Sequence, residues 1–178
     1  MGRGFGWYSN ATEPLSSVLI DPMTSPVRYL PGVTDEASIY AGLLVYLTAG
    51  SYPNDFTRCA ALHGKIATHG KPYLVEAPDA DIHMAYNYDF TTAYSDKDPI
   101  KILELFPKMW VWVKGSTITA ALGETLVHAA NGLVTNVGDP DGEVHAISCY
   151  AYKALMTVTS GTWVPVEVLG LTSIDNTA

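Results

Sequence analysis

Residues 109–137 read MWVWVKGSTITAALGETLVHAANGLVTNV, and residues 144–170 read VHAISCYAYKALMTVTSGTWVPVEVLG. Trp110 to Val113 is a β-branched and aromatic run, closed by Lys114-Gly115. Thr125 to Ala129 and Leu133 to Val137 flank Asn131-Gly132, the dipeptide that most strongly signals a two-stranded hairpin. Asp139-Pro-Asp-Gly142 marks a second turn, and Val144 to Tyr150 and Leu155 to Val158 follow it. Ser160-Gly161 then turns the chain into Thr162 to Leu169. Short strands with a turn signal between each predict a small β-barrel or sandwich over residues 109–172, with 173–178 as a tail. Pro165 has no N–H to give a ladder and predicts an edge or bulge in the last strand.

Upstream the signals are shorter. Over residues 36–108, Ile39 to Leu47, Arg58 to Leu62 and Pro72 to Ala77 read as strands cut by Gly, Pro and Asn. Asp98-Pro99-Ile100 predicts a short helix near 99–106: Asp suits the N-cap, Pro the first helical position, and Ile100, Leu103 and Phe106 share a face. Residues 1–35 carry Pro14, Pro22, Pro26 and Pro31 between isolated apolar residues and predict an extended N-terminal arm, too aromatic for a disordered linker. Its anchors are Phe5, Trp7, Tyr8, Leu15, Leu19, Tyr29 and Leu30. The expected fold class is mainly β, with at most one or two short helices. A faint echo links Ile39, Gly42, Leu44-Val45-Tyr46 to Ile118, Gly123, Leu126-Val127-His128; it fits two related β-hairpin units or a chance match between Gly/Ala turns.

Charged residues are 16% of the chain, against roughly 25% in ordinary soluble domains. Uncharged, aromatic-dotted segments such as 1–35 and 39–50 are therefore expected to be covered in an assembly. A net charge of −8 and scattered basic residues argue against nucleic acid and against a polybasic membrane contact. No apolar run approaches the roughly 20 residues of a membrane-spanning helix, and the first residues lack the apolar core of a secretory signal. The expectation is a soluble protein made in the cytoplasm. Cys59 and Cys149 match no metal or redox spacing and are expected to pack as reduced, small hydrophobes.

Chemistry is hard to find. Asp79, Asp81 and His83 lie close in sequence, and Asp81 and His83 alternate so as to face one side of a strand, where His63 or His69 would complete a metal site; no recognised ligand spacing supports it. Glu76, Asp79, Asp81, Asp89 and Glu104 supply carboxylates for glycoside hydrolysis, as any acidic protein does. His145 and Cys149 share a strand face but stand about 13 Å apart, too far for proton transfer. His128 reads as a satisfied strand residue. Asp139, Asp141 and Glu143 fall short of a calcium loop, and no phosphate-binding glycine loop follows a strand. The expected chain is not an enzyme and takes no cofactor and no metal.

The stretch 113–170 resembles the head-decoration (cement) proteins of tailed bacteriophages. The elements that carry the resemblance are Ile118, Gly123, Leu126, Asn131-Gly132, Leu133-Val134, Ala151, Ala154 and Gly161-Thr-Trp-Val-Pro-Val166. The resemblance implies a structural virion protein on the capsid exterior that bridges major capsid protein subunits as a homotrimer or homodimer, with the arm anchors as its contacts. Two alternatives are kept: another virion component such as a head-fibre base or tail protein, and a small β-fold hydrolase with a metal site around Asp79–His83.

Overall fold

Leu44, Leu74 and Leu103 stand side by side on three neighbouring strands, and all three are 0% exposed. Such a row on the outside of a small barrel needs a second body to cover it. The computed structural model supplies that body. It describes residues 13–14, 17–21, 23, 25–48, 55–58, 71–77, 90–137 and 146–175.

In chain order the described strands are β1 (Leu19–Asp21), β2 (Tyr29–Thr34), β3 (Leu44–Leu47), β4 (Asp55–Arg58), β5 (Tyr73–Val75) and β6 (Pro99–Glu104). They continue as β7 (Trp110–Ala120), β8 (Thr125–His128), β9 (Val134–Asn136), β10 (Ala146–Ala154) and β11 (Val158–Asp175). Strands β2-β4-β3-β5-β6 form one closed barrel. The order β7-β11-β10-β8-β9 is closed into a second by a β7–β9 pairing, and β1 lies beside β7. The expected mainly β architecture is thus present, as two barrels.

The two barrels share one strand plan, residue for residue. Leu30↔Ile102 and Pro31↔Lys101 between β2 and β6 correspond to Val111↔Val166 and Trp112↔Pro165 between β7 and β11. Leu44↔Leu74 corresponds to Thr125↔Lys153, and Leu74↔Leu103 to Lys153↔Glu167. Tyr46↔Thr57 corresponds to Val127↔Thr135, and each barrel closes through a parallel contact, Thr34↔Phe56 or Gly115↔Val134. The connecting hydrogen bonds repeat too: Gly42 N donates to Val75 O at 2.9 Å, and Gly123 N to Ala154 O at 2.8 Å. Glu76 N to Lys101 O is matched by Leu155 N to Pro165 O, both 2.9 Å. The echo in the sequence therefore reflects two related units. It aligns the glycines correctly and the following strands one residue out of step, since the register equates Val45, not Leu44, with Leu126.

What distinguishes the units is the outer face. The Leu44–Leu74–Leu103 row becomes Thr125–Lys153–Glu167 on the second barrel. The leucines join a core with Val18, Met109, Val111, Trp112, Trp163 and other residues of the second barrel, so the seam between the barrels is hydrophobic core. A smaller cluster of Ile39, Val45, Phe56, Val75, Ile100 and Ile102 fills the first barrel. At the seam, Lys114 N donates to Gly42 O at 2.9 Å and Trp112 N to Val18 O at 2.7 Å.

Several expectations are corrected. Residues 99–104 form a strand, not a helix: Ile100 and Ile102 point inward while Pro99 and Lys101 face out, and pairing on both sides satisfies the backbone. Asp98 caps a turn instead, its carboxylate accepting from Ser95 N at 2.6 Å. The described part of 1–35 is no free arm, because β1 pairs with β7 and β2 is a stave of the first barrel. Lys114-Gly115 does not close its strand; β7 continues to Ala120. Pro165 lies in a strand paired on both sides. Its carbonyl accepts from Leu155 N, so its missing donor faces the place where β10 has already ended at Ala154. The Asn131-Gly132 hairpin forms as expected, with φ of 62° and 74° and Leu133 N bonded to Ala130 O. The turn at 139–142 lies outside the described residues.

Candidate functional site

Of the seven anchor residues, Phe5, Trp7, Tyr8 and Leu15 lie outside the described residues. Leu19 pairs with Val111 and packs on the shared core, and Leu30 packs into the first barrel, so both are used internally rather than offered to a partner. Tyr29 stays on the surface, 37% exposed, with the Lys101 ammonium 4.5 Å above its ring. Of the seven, it is the one that the structure describes on an outer face.

Tyr29 borders a groove of about 370 Å³ on the outer side of β2 and β6, lined also by Pro31, Ala77, Tyr94, Pro99 and Lys101. Behind its lining residues Tyr29 and Ala77 lies Glu76, which is 1% exposed and bonded to both. Its Oε1 accepts from Val18 N at 3.0 Å and Ala77 N at 2.9 Å; its Oε2 accepts from Ser17 Oγ at 2.6 Å and Tyr29 OH at 3.4 Å. Tyr94 OH donates to the Glu76 carbonyl at 3.2 Å. This residue, weighed in the sequence only as one of several carboxylates, ties the segment leading into β1 to the first barrel. Nothing in its neighbourhood in sequence signals that role, since all of its carboxyl group's partners but Ala77 come from residues 17–29.

The other titratable groups described here also hold structure. Glu104 pairs with Lys71 at 2.9 Å and with Arg28 at 3.7 Å. Lys97 bonds Asp35 and lies 3.7 Å from buried Asp55, clamping the turn before β6 to the end of the barrel; the bond raises the Lys97 pKa and lowers that of Asp35. Lys114, half-buried at the seam, sits 4.8 Å from the Tyr40 ring centre and 5.0 Å from that of Trp163, and burial lowers its pKa. Among the described residues no three His, Cys, Asp or Glu side chains gather as a metal site. His63, His69, Asp79, Asp81, His83, Asp89, His145 and Cys59 lie outside the described residues, as does the side chain of Cys149.

His128 is the strongly perturbed group. It is 4% exposed, its Nε2 is 2.7 Å from Tyr152 OH, and burial pushes its pKa down to about 3. An unfolded chain takes up this proton near the ordinary value of 6.5, the folded chain only near 3, so stability is complete above pH 6.5 and falls as the pH drops through that window. Between pH 7.5 and 5 the loss is expected to be about 2 kcal/mol. Thermal or urea unfolding at the two pH values checks this. In His128→Gln the difference should largely vanish; an unchanged pH dependence in that variant would assign the acid sensitivity elsewhere.

The described surface thus carries an aromatic and proline-lined groove beside a buried carboxyl hub. Compared with solved structures, the chain is similar to the N base of the head fiber gp8.5 of bacteriophage phi29, with a TM-score of 0.51, 12% identity, and coverage of 84% of this chain and 99% of that one. At that identity the likeness is one of fold. No protein-family model matches the chain, and no curated protein matches it.

Proposed function

We propose that this chain is a non-enzymatic structural protein of a tailed-phage virion, carried on the outside of the head. The observation that supports this most is the likeness to a head-fiber base, which covers nearly all of that protein and more of this chain than either barrel accounts for. The motif resemblance of residues 113–170 to decoration proteins points the same way. Between the two finer readings, the base of a head projection is favoured over a cement that bridges capsid subunits, because the fold likeness extends over both barrels whereas the decoration motifs lie in the second. The partner is the major capsid protein, and the chain self-associates as a trimer or dimer.

The physical case is consistent with a particle-bound life. Closed barrels leave few strand edges to pair wrongly at high local concentration. Phe5, Trp7, Tyr8 and the exposed Tyr29 are the contacts proposed for the capsid, since buried aromatics dominate interface energetics. Repetition over a lattice multiplies modest affinities.

Cosedimentation with purified expanded heads tests the reading. The intact protein is expected in the pellet, and combined Phe5→Ala, Trp7→Ala and Tyr8→Ala should lower the bound fraction at least tenfold. Failure of the folded, intact protein to bind heads would reject the assignment. The hydrolase reading has gained no support, because Asp79, Asp81 and His83 lie outside the described residues.

A further inference from the structure

Strand β11 (Val158–Asp175) outruns the strands on either side of its barrel. Its pairing with β7 ends at Glu167↔Trp110 and at the two bonds that Val168 makes, with Lys108 N and Met109 O. On the far side of β10, β8 pairs only with Ala151, Tyr152 and Lys153. Beyond these points residues 146–150 and 171–175 continue as a two-stranded ribbon, and among the described residues no third strand flanks it.

The ribbon is held in place at its root. Between Ala151 and Tyr152 the register shifts, leaving Leu169 as the extra residue of a bulge, and Gly170 takes φ of +83°. A bulge bends its strand. This one carries β11 so close to the turn between the barrels that a Cβ on Gly170 would meet Pro107 Cγ at 2.9 Å. On the other strand, Tyr150 packs on the shared core, where burial, Glu104 and Tyr73 raise its pKa.

The outer edge of β11 is flanked by apolar surface. Leu171 is 61% exposed. Met23 and Val27, 48% and 43% exposed, stand on the segment whose Ser25 Oγ donates to Pro107 O at 2.9 Å. Edge strands are ordinarily protected by Lys, by Pro or by being short. Residues 146–150 and 169–174 contain no charged residue and no proline.

Charge selects the occupant. Each copy carries a net charge of −8, so copies repel one another except where the approaching surfaces are neutral. Antiparallel pairing of β11 with itself about a two-fold axis brings neutral strand to neutral strand. It also sets residue 175 of one copy level with residue 170 of the other, beside Pro107 and the exposed Lys108. Asp175 and Lys108 bear opposite charges, and the two-fold axis uses the pair twice.

We propose that the β11 edge from Gly170 to Asp175, flanked by Leu171, Pro107, Met23 and Val27, is where a second copy of this chain pairs strand to strand, giving a continuous β10-β11-β11-β10 sheet. Main-chain bonds supply the affinity, and the apolar flank with the Asp175 and Lys108 charges sets the register. This surface rests on the self-association in the reading above, not on the virion assignment.

Sedimentation of the full chain, with its thiols kept reduced, should show a dimer. Leu171→Lys places a charge on the edge and should raise the dissociation constant at least tenfold. Leu122→Lys, at the 68% exposed leucine of the turn between β7 and β8, should leave it unchanged. Lys108→Glu should weaken the dimer about threefold, and adding Asp175→Lys should restore it. Without any substitution, the amides of 171–175 that face away from β10 should exchange at least tenfold more slowly in concentrated than in dilute protein, with exchange at Ile102 constant. A chain that is monomeric at every concentration overturns the proposal, as does a trimer or a dimer that Leu171→Lys leaves intact. Head binding is a separate readout. A β11 dimer that fails to cosediment with heads rejects the virion reading and keeps this one; a monomer that does cosediment keeps that reading and rejects this one.

Discussion

Gly42→Ala is expected to destabilise the protein by about 3–5 kcal/mol, whereas Gly123→Ala, the same change at the equivalent turn, costs about 1–2 kcal/mol. The two glycines have φ of +81° and +85°, close turns whose next residue bonds back three positions, and donate to Val75 O and Ala154 O respectively. Both substitutions therefore carry the left-handed backbone cost of a side chain. Surroundings make the difference. A Cβ on Gly42 would fall 2.1 Å from Cζ3 of Trp163, whereas one on Gly123 meets nothing closer than Cε of Lys153 at 3.8 Å. Trp163 has no free space to retreat into, being buried and met edge-on by Phe90. Gly42 O also accepts from Lys114 N, so moving the turn breaks the bond that joins the barrels. Urea unfolding of the two variants beside the unchanged protein measures both values. Equal losses would mean that the seam yields where it is drawn as rigid.

This comparison also shows how much the sequence carries. The second barrel was legible because its strands announce themselves locally: Trp110 to Val113 is β-prone at every position, and Asn131-Gly132 sits at φ values that other residues avoid. The helix expected at 99–106 failed for a reason that is not local. Asp-Pro-Ile opens a helix in isolation, but Ile100 and Ile102 pair with β2 and β5, partners distant in sequence, and tertiary pairing outweighs a first-turn preference. The repeat was nearly invisible because the two units need opposite outer faces. Where the first must be leucine to meet its neighbour, the second must be Thr, Lys and Glu to meet water. Divergence is greatest where the equivalent positions do different work, which left Gly42 and Gly123 as the clearest trace. The candidate site was legible in composition and not in geometry. Aromatic anchors were expected in residues 1–35, and of these Tyr29 is described on an outer face; but Leu19 and Leu30 are as apolar as any anchor, and only the register reveals that they are already spent on the core.

Glu76→Ala is expected to cost about 3–5 kcal/mol, the loss typical of removing a buried, fully bonded carboxyl, and to do so by releasing one segment rather than by loosening a barrel. Every group around this side chain is a donor: the amides of Val18 and Ala77, the Ser17 hydroxyl and the Tyr29 hydroxyl. Alanine leaves the two buried amides without their acceptor. Glu76→Gln keeps one oxygen but aims an NH₂ at donors, and about half the loss is expected. The consequence is directional. Val18 O is the acceptor for Trp112 N, so once Val18 is no longer held from the first barrel, β1 loses its grip on β7 in the second. Amide exchange at Trp112 should therefore accelerate more than exchange at Ile102, deep in the first barrel, and cleavage by a nonspecific protease should appear between residues 17 and 28 before the chain unfolds globally. Glu104→Ala provides the contrast: its partners Lys71 and Arg28 reach solvent, and about 1 kcal/mol is expected from losing a surface pair. Uniform acceleration of exchange across both barrels in Glu76→Ala would make Glu76 part of the common core; confined acceleration makes it the catch that fixes β1 to the first barrel.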